Sequence, residues 1–459
     1  MNQTQNSYRV LLRVALLGLV FFSLNPFIAR ANSFLLYDSK RIFIILLMLA
    51  SLVIAVVSTR TTNDFAQEFK LTSKHNRFFI ALFVLFSAFA TINASYPLAA
   101  TLQFLYLIGL FVLTIQIKQV VNIEKVRVLQ YFTWIGLMLF LCVAIVHWLS
   151  LSQGIPVQRH TLLGFTNARF LNQVHVWLVI PIAYLGLIQI RRQRSAFALR
   201  LLLAVCISVI VATDARGEAI SVIAAFVLLI ILDKANRKLW WSLCWQSVLV
   251  GTAVKILLLS PIPSLVLGIP AEWTTIRTDS SGRLQLWREA WEMATFSGLG
   301  ADVFVCDSQT YGRPHNSLLN VLVHWGAITT LAYIGLCLSV VYRLVTVKRR
   351  LTRVFGVSLL SGLGYSLVSG VLDSPLSQLM AVLSIALYWA SLTTTTPLSR
   401  TKPPYFLRLM TCLICISIAL AISYRLFMRI HHYPVYDPNL VYKTQFWIGY
   451  NCLARPTLP

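Results

Sequence analysis

Thirteen apolar stretches punctuate this chain, and no other feature limits its fold so tightly. They fall near residues 10–29, 41–58, 78–95, 98–117, 128–149, 174–190, 197–213, 217–232, 239–259, 317–342, 355–372, 376–394 and 406–427. Runs of about 18 residues or more match the apolar thickness of a bilayer when coiled as helix. A helix also satisfies its backbone polar groups internally, which lipid demands. Composition agrees: 58% of residues are hydrophobic, 12% are charged and mean hydropathy is +0.74, whereas soluble domains carry roughly 25% charged residues. The expectation is an all-α polytopic membrane bundle of about 13 transmembrane helices with a helical outer loop subdomain. Its divisions are 1–259 (spans 1–9), 260–316 (long outer loop), 317–427 (spans 10–13) and 428–459 (outer tail). No internal repeat is visible.

The net charge of +24 invites a nucleic-acid partner, but its distribution argues against one. With the N-terminus inside and sides alternating, the inner connections hold 24 of the 39 basic residues and only four of the 15 acidic ones. Cytoplasmic loops are enriched in Lys and Arg, so the excess base reports topology. The connection from Arg30 to Arg41 fits this least well, since it is expected outside yet holds Arg30, Lys40 and Arg41. Arg9 and Arg13 before Ala15–Ser23, with Ala29-Arg30-Ala31 following, also resemble a signal peptide; the reading taken is an uncleaved first span.

Of the eight cysteines, Cys142, Cys206, Cys244, Cys337, Cys412 and Cys415 lie in apolar runs, where thiols behave as small hydrophobes. Cys306 and Cys452 both fall on the expected outer side, where an oxidising compartment permits a disulfide. That bond would tie the tail to the long loop. No metal-ligand spacing is present, and no cofactor is expected.

Chemistry concentrates in the polar interval from Ser280 to Gly326. Ser280-Ser281-Gly282 offers N-cap chemistry for a helix from Arg283, along which Leu284, Trp287, Ala290, Trp291 and Ala294 recur at helical spacing. One reading is an interfacial helix with Trp287 and Trp291 at headgroup depth. That reading does not explain Arg283 at the helix start, where the dipole favours an anion; an arginine beside free N–H groups suits phosphate. His315-Asn316 opens the tenth span after Arg313-Pro314. A histidine at a cavity mouth can accept a hydroxyl proton, or it can be structural. His324 is expected to be a buried, hydrogen-bonded or packing residue. In Asp214-Ala215-Arg216-Gly217-Glu218, Arg216 is either neutralised by its neighbours or used, because charge at a membrane boundary is costly. Asn167, Arg169, Asn172 and Gln173 bring further donors to the outer surface.

Together Gly282-Arg283 with Trp287, Ser297-Gly298-Leu299-Gly300 with Phe304, and His315-Asn316-Ser317-Leu318 resemble the O-antigen ligase and polymerase superfamily. Ala215-Arg216-Gly217 resembles its short-turn Ser-Arg-Gly, and the likeness is strongest over residues 210–335. The resemblance implies metal-independent glycan transfer from an undecaprenyl-diphosphate-linked donor, at the periplasmic face of a bacterial inner membrane. It implies that Arg216 and Arg283 hold the diphosphate and that His315 serves the acceptor hydroxyl. Arg169, Arg288, Arg313, Asn316 and Gln173 would contact substrate. Lipid A-core is the favoured acceptor; another carrier-linked glycan (polymerase) or a protein hydroxyl (oligosaccharyltransferase) stays open. The chain departs from the family at Ala215 and at His324-Trp325-Gly326, where an acidic residue is common. A transporter of lipid-linked glycan is the competing class, expected to show inverted repeats and broken helices.

Overall fold

The computed structural model describes residues 3–26, 33–157, 162–271, 282–308, 313–392, 403–431 and 446–448. Among these residues the chain is helical without strands, apart from one isolated bridge between Leu162 and Phe165. The first half comprises α1 (Gln3–Leu24), α2 (Ser33–Val57), α3 (Thr59–Leu71), α4 (Lys74–Ile92), α5 (Pro97–Ser152), α6 (Ala168–His175), α7 (Val179–Arg191), α8 (Phe197–Ala212) and α9 (Arg216–Leu232). There follow α10 (Arg237–Val254), α11 (Ile262–Val266), α12 (Arg283–Met293), α13 (Val303–Asp307), α14 (Ser317–Thr346), α15 (Arg350–Ser366), α16 (Pro375–Leu392) and α17 (Tyr405–His431). Each apolar stretch falls on one or more of these helices. Eight are long and apolar enough to cross a membrane, or nine if the bent pair α6–α7 forms one span.

The outer helices are apolar all round, as lipid requires. Along α1, Tyr8, Leu11, Leu12, Ala15, Leu16 and Leu19 face the interior at helical spacing. Val10, Val14, Leu17 and Phe21 on the other face stay 44–56% exposed. Water would oppose that exposure; lipid does not.

Helix α5 merges two expected spans. A straight helix of its 56 residues would be about 84 Å long, far beyond a bilayer. Its contacts exclude that shape. Arg41 bonds the Tyr106 hydroxyl at 3.0 Å, while neighbouring Lys40 lies within electrostatic range of Cys142. In a straight helix Tyr106 and Cys142 would be about 54 Å apart. The first half follows α2, with Ser51 bonded to Gln116. The second follows α1, with Cys142 bonded to the Ser23 carbonyl and Glu124 near Arg9 and Arg13. The element therefore doubles back at the polar stretch 118–127, where Lys118 also pairs with Glu68 of α3.

Lys40 and Arg41, awkward as loop charges, are buried in α2 instead. Lys40 donates to the Gly164 carbonyl and lies over the Phe165 ring. Arg41 donates to the carbonyls of Phe446 and Asp373 and to Gln378. Both cations are thus bound by protein dipoles and rings. Arg30 lies outside the described residues.

Helix α14 is broken. Gly326 has φ 83° and ψ 178°, and Tyr333 reaches back to Ser317, with hydroxyls 3.4 Å apart. A straight helix would separate those residues by about 24 Å. Such a break leaves carbonyls and N–H groups unpaired, at several kcal/mol each in lipid. Residues 296–300 occupy the break: Leu299 N donates to Val323 O at 2.9 Å, Gly300 N to His324 O at 2.9 Å, and Ala327 N to Phe296 O at 2.9 Å. Gly298 is opposite Gly326, so close that a Cβ on Gly298 would lie 2.6 Å from Gly326 N. Ser297-Gly298-Leu299-Gly300 is therefore a wedge that completes the hydrogen bonding of a bent helix. Its sequence signal, taken alone, reads as a helix terminator.

The loop subdomain has a small core of its own, with Leu286, Ala290, Val303, Phe304 and Val323 buried together with Tyr96 and Ala99. The expected stripe on α12 is rotated. Leu286 and Ala290 face inward, whereas Leu284 and Trp291 are 65% and 69% exposed. Docking against α14, rather than a flat membrane surface, selects the buried face.

Candidate functional site

Helices α6, α9, α12 and α14 begin close to one another at one end of the bundle, and the first three carry arginine in their first turn. Asn167 caps α6 by accepting from Arg169 N at 2.9 Å. Arg216 is the first residue of α9 and Arg283 the first of α12. Gly282, at φ 74°, is the N-cap of α12 and supplies no side-chain bond; Ser280 and Ser281 lie outside the described residues. Cations at helix starts oppose the helix dipole, so this arrangement favours an anion that offsets the clustered arginines.

His315 sits among these starts in the left-handed region, at φ 53°. For a non-glycine residue that conformation costs roughly 1–2 kcal/mol. Two contacts hold the turn. Asn316 caps α14, its side-chain oxygen accepting from Leu318 N at 3.0 Å and Leu319 N at 3.3 Å. Trp287 donates its indole N–H to the Pro314 carbonyl at 2.9 Å. Arg283 and Trp287 are one helical turn apart, so the helix that starts with the arginine also braces the histidine turn.

His315 keeps part of its surface exposed but is densely surrounded. Burial, followed by the Arg313, Arg169 and Arg283 cations, holds its pKa well below the usual histidine value. The imidazole is neutral at physiological pH, leaving one nitrogen able to accept a proton or hydrogen bond.

Arg169, Arg283 and Arg313 are thus each brought within electrostatic range of His315. Arg216 is not among the cations acting on His315, but its neighbour packs nearby. Gly217 packs on the Tyr365 ring and Val368, and Arg169 and Arg283 both act on the Tyr365 hydroxyl. Glu218 does not pair with Arg216; its carboxylate is 2.5 Å from His175 Nδ1 in a fully buried pair. That pair ties α6 to α9 below the two arginines that start them. Arg313 is buried, 3.3 Å from Asp373 and 3.4 Å from the Tyr37 hydroxyl. Gln173 is buried and bonds Ser369. Arg288 lies apart, on the exposed side of α12 beside Glu292.

The sequence reading placed residues 367–372 of the turn from 367 to 374 inside an apolar span and assigned no role to the short connection after it. Helix α15 ends at Ser366, and the turn receives Gln173, Arg313 and Arg41. Ser369, Gly370 and Asp373 in SGVLDS were the available signal. His324 is buried as expected, but its Nε2 has no hydrogen-bond partner among the described residues. Cys306 is disulfide-bonded and the six membrane cysteines are free; Cys452 lies outside the described residues.

No curated protein matches the chain. Residues 201–334, under a third of its length, match the family model described as O-antigen ligase. That segment contains Arg216, Arg283, the wedge at 296–300 and His315, and over it this multi-pass membrane protein is similar to the O-antigen ligase family.

Proposed function

We propose that the chain transfers a glycan from undecaprenyl diphosphate to an acceptor hydroxyl at the periplasmic face, with lipid A-core as acceptor. The observation that carries this reading is the neutral His315 held among Arg169, Arg283 and Arg313 at a convergence of helix starts. The acceptor oxygen attacks the anomeric carbon as the carbon–oxygen bond to the diphosphate breaks. The bonding pair leaves with the diphosphate, where arginines stabilise the growing charge, and His315 takes the hydroxyl proton.

Donor binding supports the histidine's part. A bound diphosphate offsets the arginines, so His315 becomes more basic when a proton must be accepted. Arg216 and Arg283 are assigned to the diphosphate. Arg313, already paired with Asp373, acts chiefly through its field. The transporter reading predicts broken helices, and α14 is one. Its break, however, is filled by residues 296–300 rather than left as an ion path, so transfer remains the better account.

Arg283→Ala and His315→Ala, stably expressed, should each lose glycan transfer; full retention of transfer would refute the assignment. A deletion strain separates the branches. Lipid A without any polymer supports the ligase, single-repeat lipopolysaccharide a polymerase, and unchanged lipopolysaccharide with an unglycosylated surface protein the protein-modifying reaction.

A further inference from the structure

A cavity of about 160 Å³ lies against the first half of α14 and reaches Asp373, the partner of Arg313. None of Arg169, Arg216, Arg283 or His315 lines it. Ser317, Asn320, Val321 and His324 do, and their spacing of three, four and seven puts them on one helical face. The bend at Gly326 creates the space, because Tyr333 on the second half of the helix forms part of the opposite wall.

The lining selects a chemical class. His324 Nε2 and the Asn320 side-chain oxygen are buried atoms without hydrogen-bond partners among the described residues, and such atoms are costly to leave unmet. Gln103, whose oxygen already accepts from Arg425, adds amide N–H groups. Gln378 is engaged by Arg41, Tyr106 and the Leu372 carbonyl, and Trp325 adds a flat apolar face. The charged members are already engaged: Asp373 with Arg313, Arg41 with Gln378, Tyr106 and two carbonyls. An anion would therefore find no uncommitted cation, and an acyl chain would strand the His324 and Asn320 atoms. A ring bearing several hydroxyls meets both donors and acceptors, and the volume admits one such ring.

We propose that this cavity is a subsite for one uncharged pyranose ring, belonging to one of the two glycans joined at His315. The inference rests on the glycosyl-transfer reading and adds a place where specificity is set. Ser317, two residues after His315, lines the cavity, so a ring seated there is held beside the reacting centre.

The test uses the purified full-length chain with undecaprenyl-diphosphate-linked O-antigen as donor and lipid A-core as acceptor. Asn320→Ala removes a hydrogen-bonding group whose oxygen holds nothing in the fold, and Val321→Phe fills the space. Each should raise KM for one substrate about five- to tenfold, near the strength of one or two hydrogen bonds, with kcat within about twofold. A rise confined to the acceptor assigns the ring to it, and a rise confined to the donor assigns it there. If neither KM moves, or kcat falls with both KM values unchanged, the subsite is refuted. Full turnover by Arg283→Ala and His315→Ala would instead refute the transferase reading, independently of the cavity.

Discussion

Gly298→Ala tests the most consequential packing in the structure. The new methyl carbon would lie 2.6 Å from Gly326 N and Trp325 C and 2.8 Å from His324 O, all of them backbone atoms. None can swing aside as a side-chain tip could. Gly298 is also at φ 80°, which costs alanine roughly 1–2 kcal/mol. If the wedge is displaced, the bonds at Leu299, Gly300 and Ala327 are lost, at about 0.5–1.5 kcal/mol each. The total is roughly 3–6 kcal/mol. Gly154→Ala is the control: its φ is 68°, but nothing lies within 4 Å of the added carbon, so only the conformational term of about 1 kcal/mol applies. Thermal unfolding of the detergent-purified variants compares the two, and amide exchange reports Leu299, Gly300 and Ala327 directly. The Gly298 variant should unfold at a distinctly lower temperature and lose protection at those three amides. Equal unfolding temperatures with protection intact would show that residues 296–300 do not hold the bend.

Three further outcomes follow from the same geometry. Trp287→Phe keeps the ring but removes the bond to Pro314 O; kcat should fall about three- to tenfold with little change in unfolding temperature, and unchanged kcat would sever α12 from the histidine turn. In pH profiles of transfer, the acid limb of kcat/KM should lie well below pH 6.5, because burial and three arginines favour neutral His315. The acid limb of kcat should lie higher, because the bound diphosphate favours the imidazolium; coincident limbs would contradict coupling between donor and histidine. Arg425→Met strands Asp302, whose buried carboxylate lies 3.0 Å from the guanidinium and whose pKa burial already raises. That should destabilise by about 3–5 kcal/mol, and adding Asp302→Asn should recover part of the loss in a denaturation series.

The apolar stretches, their alternation of charge and the order of Arg216, Arg283 and His315 were legible in one dimension, because burial in lipid and helix starts are local properties. Arg283 was recognisable because arginine at a helix start opposes the dipole whatever packs around it. Asp373 and Ser369 were not. Ser369 fell inside the expected span 355–372 and Asp373 in the short connection after it, and only their contacts with Gln173 and Arg313 give them a role. His324 was read as a bonded or packing residue, since the cavity it lines exists only where α14 bends.

Sequence alone determined that this chain is a many-helix membrane protein and that its candidate site residues lie at helix starts. Hydropathy and helix-terminal chemistry depend on near neighbours, so they can be read from a string of letters. Tertiary structure alone decided that α5 doubles back, that α14 bends around a glycine wedge, and that Lys40 and Arg41 are interior cations rather than loop charges. Each depends on partners dozens to hundreds of residues away, whose backbone and side-chain groups meet only once the helices have packed.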